Sequence, residues 1–269
     1  MFAKLNHLAI VSENFAMSAR FYEALFGMKM ADRHRAEGAA VLGDGYVGMN
    51  INPRAPGRGA RLEHFGFEVT NAQTALDRLR EFSDVNWLKR PSNRPYAGIS
   101  AHDPDGNVFD ISQEDMENRT DIYVEQGNGA LHPRHISHFA LRTMRPDAMA
   151  EFYRKVFELE ARNKREGDPN HYLTDGHMTM VIMPWRIKDY DATGIMPPSL
   201  DHIGFKTENL EKFKADVERL KSRNPRLAPF PTDYGPEAKA RQALFQRSCP
   251  LCQHHFADID GVLIGASDA

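Results

Sequence analysis

The sequence predicts an α+β protein made of four β-α-β-β-β units, two in each half of the 269-residue chain. One six-residue pattern carries this prediction, because it occurs four times in the order aliphatic, polar, His, apolar, small, apolar. The four copies begin at Leu5, Leu62, Ile136 and Leu200. The second observation is that His7 and His138 are as far apart in the chain as Phe21 and Phe152, which begin two similar apolar runs. Such internal repetition decides an architecture before any single element does.

Each copy of the pattern is predicted to be a β-strand. Alternate side chains of a strand point to the same face, so Leu5, His7 and Ala9 share one face, as do the matching residues of the other copies. The histidines His7, His64, His138 and His202 therefore occupy equivalent places on equivalent strands. Four such imidazoles indicate a metal-binding design.

An amphipathic helix is predicted after each of these strands. The first runs through Phe21 to a left-handed cap at Gly27, and its counterpart begins at Phe152. The other two are marked by apolar residues at helical spacing. These residues are Ala75, Leu76, Leu79 and Phe82 after His64, and Leu210, Phe213, Val217 and Leu220 after His202.

Short strands complete each unit, and a polar segment separates the two halves. Strands are predicted at 38–42, 46–51, 98–102 and 107–112, separated by Gly-Asp-Gly and Asp-Pro-Asp-Gly turns. The segment 116–134 carries Gly127-Asn128-Gly129 and is predicted to be a linker. The first domain is therefore expected at 1–115 and the second at 135–269.

Composition favours a small-molecule ligand over a polymer or a membrane. The net charge is −3 with acidic and basic residues mixed throughout, and 41% of residues are hydrophobic. The sequence has no basic stripe that would indicate nucleic-acid binding, and no apolar stretch long enough to span a bilayer. The chain enters its first strand without a signal-like segment, and two cysteines fit a reducing compartment, so a cytoplasmic location is expected. A homo-oligomer is left open.

The first half supplies a candidate set of metal ligands in His7, His64 and Asp110. Two histidines and one carboxylate form the usual facial set for non-haem Fe(II). Asp110 alternates with apolar neighbours in its strand, so it either faces solvent or points inward as a ligand. In the second half, aligning the Asp-Gly turns places Gly265 where Asp110 stood. His138 and His202 then lack a carboxylate, and the nearest candidate replacement is His255.

A purely structural explanation of the four histidines stays open beside the metal hypothesis. A histidine that packs well would be preserved by duplication alone.

The role of the two cysteines also stays open. Cys249 and Cys252 form a C-x-x-C pair that leads into a strand. They are either plain thiols in a loop or zinc ligands together with His254 or His255.

The four units, the histidine in each first strand and the run Ala101-His102-Asp103-Pro104-Asp105-Gly106-Asn107-Val108-Phe109-Asp110 resemble the vicinal oxygen chelate superfamily. It contains glyoxalases, extradiol dioxygenases and bleomycin-resistance proteins. The two-domain arrangement is similar to the type I extradiol dioxygenases. The resemblance covers nearly the whole chain apart from the linker and an insertion at about 224–253, and it implies half-barrel sheets, with helices outside, around a divalent metal.

In that resemblance the extradiol ligands His, His and Glu transfer to His7, His64 and Asp110. The acid is one methylene shorter here, and the extradiol enzymes keep their metal in the C-terminal domain, which in this chain lacks the carboxylate. Glyoxalase-like members take a fourth ligand from the last strand of the first module. That strand, 47–52, offers neither Glu nor His, which favours an open site.

The resemblance implies an Fe(II)- or Mn(II)-dependent dioxygenase that acts on a catechol-like substrate and uses dioxygen. Zn(II) and Ni(II) stay open as metals. A glyoxalase-type lyase or isomerase and a non-catalytic resistance-type binding protein are the alternatives. Candidate proton shuttles are Tyr96 and His102 in the first domain and His255, His171 and Tyr172 in the second.

Overall fold

The computed structural model describes residues 1–31, 38–90, 98–114, 132–189 and 197–268. Within them, each half of the chain forms one eight-stranded mixed sheet that does not close. The predicted α+β class, with four β-α-β-β-β modules arranged in pairs, is confirmed.

The first half contains two consecutive modules. The first consists of β1 (Ala3–Ser12), α1 (Phe15–Phe26), β2 (Lys29–Met30), β3 (Ala40–Gly43) and β4 (Gly48–Pro53). The second consists of β5 (Arg61–Val69), α2 (Ala72–Leu79), β6 (Trp87–Lys89), β7 (Ile99–His102) and β8 (Val108–Gln113).

The second half repeats this order and adds one helix. Its first module consists of β9 (His135–Thr143), α3 (Pro146–Phe157), β10 (Glu160–Ala161), β11 (His171–Thr174) and β12 (Thr179–Pro184). Its second consists of β13 (Ser199–Thr207), α4 (Leu210–Arg223), β14 (Phe230–Pro231), α5 (Ala238–Ser248), β15 (His254–Ala257) and β16 (Leu263–Asp268). The helix α5 lies in the insertion and was not predicted from the sequence.

Both sheets have the same topology. In the first, the order is β2-β3-β4-β1-β5-β8-β7-β6, and in the second it is β10-β11-β12-β9-β13-β16-β15-β14. The two histidine strands of each half are antiparallel neighbours at the centre, and each is parallel to the last strand of its own module. This arrangement brings two histidine strands side by side in each half.

Local signals set the ends of the helices. The side-chain oxygen of Asn14 accepts from the Met17 amide and begins α1 six residues before the predicted apolar run, and Gly27 ends it with a φ of 69°. Asn71 and Asn209 begin α2 and α4 in the same way. Cys249 is the C-cap of α5, so the C-x-x-C pair follows the end of a helix rather than its beginning.

A continuous buried core joins the two sheets through reciprocal aromatic contacts. Phe26 of α1 stacks on Phe205 of β13 with ring centroids 3.7 Å apart. Its counterpart in α3, Phe157, stacks on Phe67 of β5, also at 3.7 Å. Each half therefore packs a helix against the sheet of the other half.

Reciprocal hydrogen bonds accompany this packing. The Tyr22 hydroxyl donates to Asp258 of the second half at 2.8 Å, and the Tyr153 hydroxyl donates to Asp103 of the first half at 2.6 Å. A second reciprocal pair joins loop carboxylates to backbone amides. In it, Asp44 accepts from the Ile136 amide at 2.8 Å and Asp175 accepts from the Leu5 amide at 2.7 Å. Each of these contacts from the first half to the second is thus matched by an equivalent contact from the second half to the first.

The proposed domain limits, 1–115 and 135–269, place one sheet in each domain. Most of the proposed linker, 116–134, lies outside the described residues, as does Tyr96. Among the helices that the structure describes, none combines the length and apolar character needed to cross a membrane.

The buried carboxyl of Asp258 is expected to make the folding stability depend on pH. Burial raises its carboxyl pKa from 3.8 to about 6, and hydrogen bonds from Val262 and Tyr22 oppose the rise only in part. The folded chain thus binds this proton more tightly than the unfolded chain, so the stabilisation is complete below about pH 4 and is lost as the pH rises through about 6. The loss is about 3 kcal/mol for this group.

Urea unfolding of the wild type and Asp258→Asn from pH 4 to pH 7 measures this effect. The wild type should lose about 3 kcal/mol relative to the variant across that range, because only the wild type carries the titrating carboxyl. A difference between the two proteins that stays constant with pH would contradict the assignment.

Candidate metal centre

Each histidine of the repeated pattern lies directly across from a small residue of the neighbouring strand. His7 pairs with Gly66 and His64 pairs with Ala9 in the first sheet, and the second sheet repeats the arrangement. A Cβ atom on Gly66 would lie 2.0 Å from Cε1 of His7, and one on Gly204 would lie 1.8 Å from Cε1 of His138. The small position of the pattern is therefore required by the imidazole of the partner strand.

The first half brings His7, His64 and Asp110 together. Asp110 Oδ2 lies 3.5 Å from His64 Nε2 and 3.9 Å from His7 Nε2. The two imidazoles meet edge to face, with ring centroids 5.7 Å apart. His7 and Asp110 are only 2% and 3% exposed, so Asp110 points inward rather than to solvent. The three ligand atoms all lie within 4.8 Å of one another, which is compatible with a single metal ion.

The polar residue that precedes each histidine holds the far side of its ring. His7 Nδ1 donates to Asn6 Oδ1 at 2.7 Å, and His64 Nδ1 lies 3.5 Å from Glu63 Oε2. In the second half, Ser137 contacts Nδ1 of His138 at 3.0 Å, and Asp201 accepts from Nδ1 of His202 at 2.6 Å. This bonding fixes the ring orientation and turns each Nε2 lone pair toward the centre. The second position of the repeated pattern thus has a direct chemical role.

Asp110 is oriented by two neighbours on the other side of its carboxylate. The Ser100 hydroxyl donates to Asp110 Oδ1, and the Arg90 Nε donates to the Ser100 oxygen at 2.6 Å. A guanidinium nitrogen of Arg90 also lies 3.6 Å from Asp110 Oδ1. The oxygen Oδ2 is left facing the two histidines.

The second half brings together His138, His202 and Cys252. The two Nε2 atoms are 3.3 Å apart, and Cys252 Sγ lies 3.3 Å from Nε2 of His138 and 3.7 Å from Nε2 of His202. Gly265 pairs with Gly204 as Asp110 pairs with Gly66, so it occupies the position of the first-half carboxylate. A Cβ atom there would lie 2.1 Å from Cys252 Sγ. The thiol thus fills the space that the missing side chain leaves.

Burial favours the neutral forms of His7, His138 and Cys252. It lowers the pKa of His7 and His138 well below the usual value, and the neighbouring histidine lowers each further. It raises the pKa of the Cys252 thiol well above its usual range. Burial also opposes ionisation of Asp201, but the Arg142 guanidinium and the His202 hydrogen bond outweigh it and hold that pKa well below normal. Neutral imidazoles are the form that binds metals.

The candidate proton shuttles that the structure describes make their hydrogen bonds with residues other than the metal-ligand candidates. His102 accepts from the Asn86 amide through Nε2 and contacts the Asp103 carbonyl through Nδ1, so both of its ring nitrogens are engaged away from Asp110. His171 contacts Asp147, and Tyr172 donates to Asp168. His255 stacks on Phe245, and its ring centroid lies 6.5 Å from that of His202. Cys252, and not His255, contacts both second-half histidines.

Sequence reasoning missed the residues that support the ligands. The residues before the histidines were recognisable as uniformly polar, and this signal could have identified Asn6, Glu63, Ser137 and Asp201. Ser100 and Arg90 had no comparable signal, because their role depends on the pairing of β7 with β8. Cys252 was noticed, but its partners were not.

A wide cleft of about 1860 Å³ gives access to the first cluster. From the first half it is lined by His64, Asp110, Arg90 and Asn50. From the second half it is lined by Arg142 and Asp201, which support His202. Asn50 Oδ1 is buried and has no hydrogen-bond partner among the described residues. A small substrate could therefore reach the first cluster from the space between the sheets.

Comparison with known families identifies the superfamily of both halves of the chain. The profile of the Glyoxalase/Bleomycin resistance protein/Dioxygenase superfamily matches residues 4–111 and 135–265.

Several solved structures share the fold at low sequence identity. The "xylose isomerase-like TIM barrel/4-hydroxyphenylpyruvate dioxygenase fusion protein" is 16% identical with a TM-score of 0.61 over 99% of this chain, which spans only 48% of that protein. BphC, a halotolerant catechol dioxygenase, is 12% identical with a TM-score of 0.62 over 100% of this chain and 87% of its own. The Mn(II)-bound glyoxalase from Novosphingobium aromaticivorans is 15% identical with a TM-score of 0.63 over 99% of this chain and 82% of its own.

The glycine opposite His7 can be tested by Gly66→Ala. The added methyl group overlaps the imidazole, so the variant should lose about 1–3 kcal/mol in free energy of unfolding. The matched control is Gly59→Ala, because Gly59 is exposed and nothing lies within 4 Å of an added Cβ. Urea denaturation of both variants measures the difference. Equal stability of the two would contradict the close approach of His7 to Gly66.

Proposed function

The chain belongs to the Glyoxalase/Bleomycin resistance protein/Dioxygenase superfamily, and we propose that it is a metal-dependent enzyme whose centre is formed by His7, His64 and Asp110. The observation that carries the proposal is the convergence of two imidazole nitrogens and one carboxylate oxygen at the wall of a large cleft. The substrate is a small molecule with two neighbouring oxygen atoms, such as a catechol.

The donor set fits Fe(II) or Mn(II). Two neutral imidazoles and one carboxylate match the facial arrangement that leaves positions open for substrate and co-substrate. A divalent ion of this kind supplies Lewis acidity and, when it is iron, electrons for reaction with dioxygen. The fit rests on the chemistry of the three side chains and on the proximity of their ligand atoms, which all lie within 4.8 Å of one another.

The supporting residues keep the ligands ready to bind. Asn6 accepts the Nδ1 proton of His7, and its own amide is fixed by donation to Ser112 Oγ at 3.1 Å. Glu63 does the same for His64, and the hydrogen bond from His64 lowers the pKa of the Glu63 carboxyl. These contacts keep the proton of each imidazole on Nδ1 and leave its Nε2 lone pair to bind the metal.

Asn50 is proposed to orient the substrate. It lies in β4 beside Ala9 of β1, lines the cleft and keeps a buried Oδ1 without a hydrogen-bond partner among the described residues. A substrate hydroxyl would satisfy that acceptor. A neutral amide binds metals more weakly than a carboxylate, so three strong protein ligands remain and coordination positions stay open.

This open set favours an oxygenase over a glyoxalase-type lyase or isomerase. Two substrate oxygens and dioxygen together require three positions that the protein does not fill. The lyase or isomerase is the second candidate, because a divalent ion held by the same three ligands would also stabilise an enediolate. A drug-binding protein without catalysis is the third, and metal analysis separates it from both enzymes.

Anaerobic loading with Fe(II), followed by oxygen-electrode assays with catechol and substituted catechols, tests the proposal. The loaded wild type should consume dioxygen and form a ring-opened product. His64→Ala should lower the rate on the order of 100-fold or more, because a direct ligand is lost. His202→Ala is the matched control, since it removes the equivalent histidine of the second half and should keep the activity.

Three outcomes would contradict this assignment. Equal loss in both variants would remove the distinction between the two halves. Metal-dependent conversion of a 2-oxoaldehyde hemithioacetal without oxygen uptake would favour the lyase or isomerase. Failure of the first-half centre to bind any of Fe(II), Mn(II), Zn(II) and Ni(II) would leave only the binding protein.

A further inference from the structure

We propose that the second half of the chain holds a separate metal site in which a thiolate replaces the carboxylate, with His138, His202 and Cys252 as ligands and Zn(II) as the ion. This site does not depend on the function proposed for the first half. It uses a different set of donor atoms, and its occupancy can be measured without an assay of activity.

The three ligand atoms already form a triangle of the size that zinc requires. Zinc binds imidazole nitrogen at about 2.0–2.1 Å and thiolate sulfur at about 2.3 Å with tetrahedral angles, which puts two nitrogens about 3.3 Å apart and nitrogen and sulfur about 3.6 Å apart. The observed separations are 3.3 Å between the nitrogens and 3.3 and 3.7 Å from sulfur to nitrogen. One ion can therefore contact all three atoms with little movement of the chain.

The histidines are also oriented as zinc ligands are. Asp201 holds Nδ1 of His202 and is itself bound by the Nε of Arg142 at 2.6 Å. This is the chain of contacts from carboxylate to histidine to metal that is common in zinc proteins. Here the buried Arg142 guanidinium also binds the carboxylate. Ser137 contacts Nδ1 of His138. Both Nε2 atoms consequently face Cys252.

The insertion in the last module delivers the sulfur. Cys249 is the C-cap of helix α5, and the Cys252 amide donates to the Cys249 carbonyl at 3.0 Å. The Gln253 amide donates to the Ala266 carbonyl at 2.9 Å. This tight turn sets Cys252 beside Gly265, where any larger residue would collide with the sulfur. The lost carboxylate and the added turn are thus complementary changes at one place.

Cys249 is not part of the proposed set. Its sulfur lies 4.0 Å from the Met183 sulfur, in a small apolar cluster. It is near Asp201 and His202, but Asp201 already occupies Nδ1 of the His202 ring.

The donor set favours zinc. Two imidazoles and one thiolate form a soft set that suits zinc better than calcium, magnesium or manganese. Three protein ligands leave a fourth zinc position for water or another small ligand.

Titration of the metal-free, reduced protein with Co(II), a coloured substitute for zinc, tests the site. Binding should produce a thiolate-to-cobalt charge-transfer band that disappears when Zn(II) is added. The first-half set has no sulfur, so it adds no such band even when it binds Co(II). Absence of the band in the wild type would overturn the proposal, because the cluster would then be a thiol hydrogen-bonded to two imidazoles.

Matched variants identify the sulfur. Cys252→Ser should lose the charge-transfer band and bind Zn(II) at the second half at least tenfold more weakly, whereas Cys249→Ser and His64→Ala should keep the band. Loss of the band in Cys249→Ser with retention in Cys252→Ser would refute the assignment of Cys252.

A measurement on the wild type covers the case in which a variant fails to fold. Alkylation of Cys252 by iodoacetamide, followed by peptide mass spectrometry, should slow at least tenfold when Zn(II) is added to the stripped protein. An unchanged rate with Zn(II) present would overturn the proposal. Retention of this protection in His64→Ala would separate the thiolate site from the first-half centre.

Discussion

The close approach of an imidazole to a glycine across the two central strands of each sheet is the constraint on which the rest of the structure depends. His7 fits against Gly66 and His138 against Gly204, so neither strand pair can shift its register without a collision or a hole. Because the register is fixed, two histidines of each half face one another near the middle of the sheet. The next strand then supplies the third position of the centre. This position is Asp110 in one half, and in the other it is Gly265, where the Cys252 thiol fills the space.

The parts of the site that follow strand periodicity could be predicted from the sequence. His7, His64 and Asp110 were proposed as one set because two histidines and one carboxylate are a usual metal-binding set, while strand alternation left the direction of Asp110 open. The structure brings their ligand atoms together. The position of Cys252 could not be predicted in this way. It comes from a turn after an inserted helix, where no repeat exists for alignment and no periodicity fixes the direction of a side chain. The rings of His102 and His255 depend in a similar way on local partners that the sequence does not reveal.

The two halves therefore share a frame but differ in the hardness of their donors. The carboxylate of Asp110 is held by Ser100 and opens to a cleft, which suits a hard ion that exchanges substrate. The sulfur of Cys252 is packed against two buried imidazoles, which suits a soft ion that stays in place. One duplicated scaffold thus offers two chemically distinct sets of side chains, one with a carboxylate and one with a thiol.

The exchange of helices between the sheets has a consequence for the history of the chain. Tyr22 and Phe26 serve the second half, and Tyr153 and Phe157 serve the first, so deletion of either half would strip the other of part of its core. Selection for folding alone is then enough to retain both copies after a duplication. Once retained for that reason, the centre of one copy could change its donor atoms freely, because the packing that preserves it lies on the opposite side of the sheet.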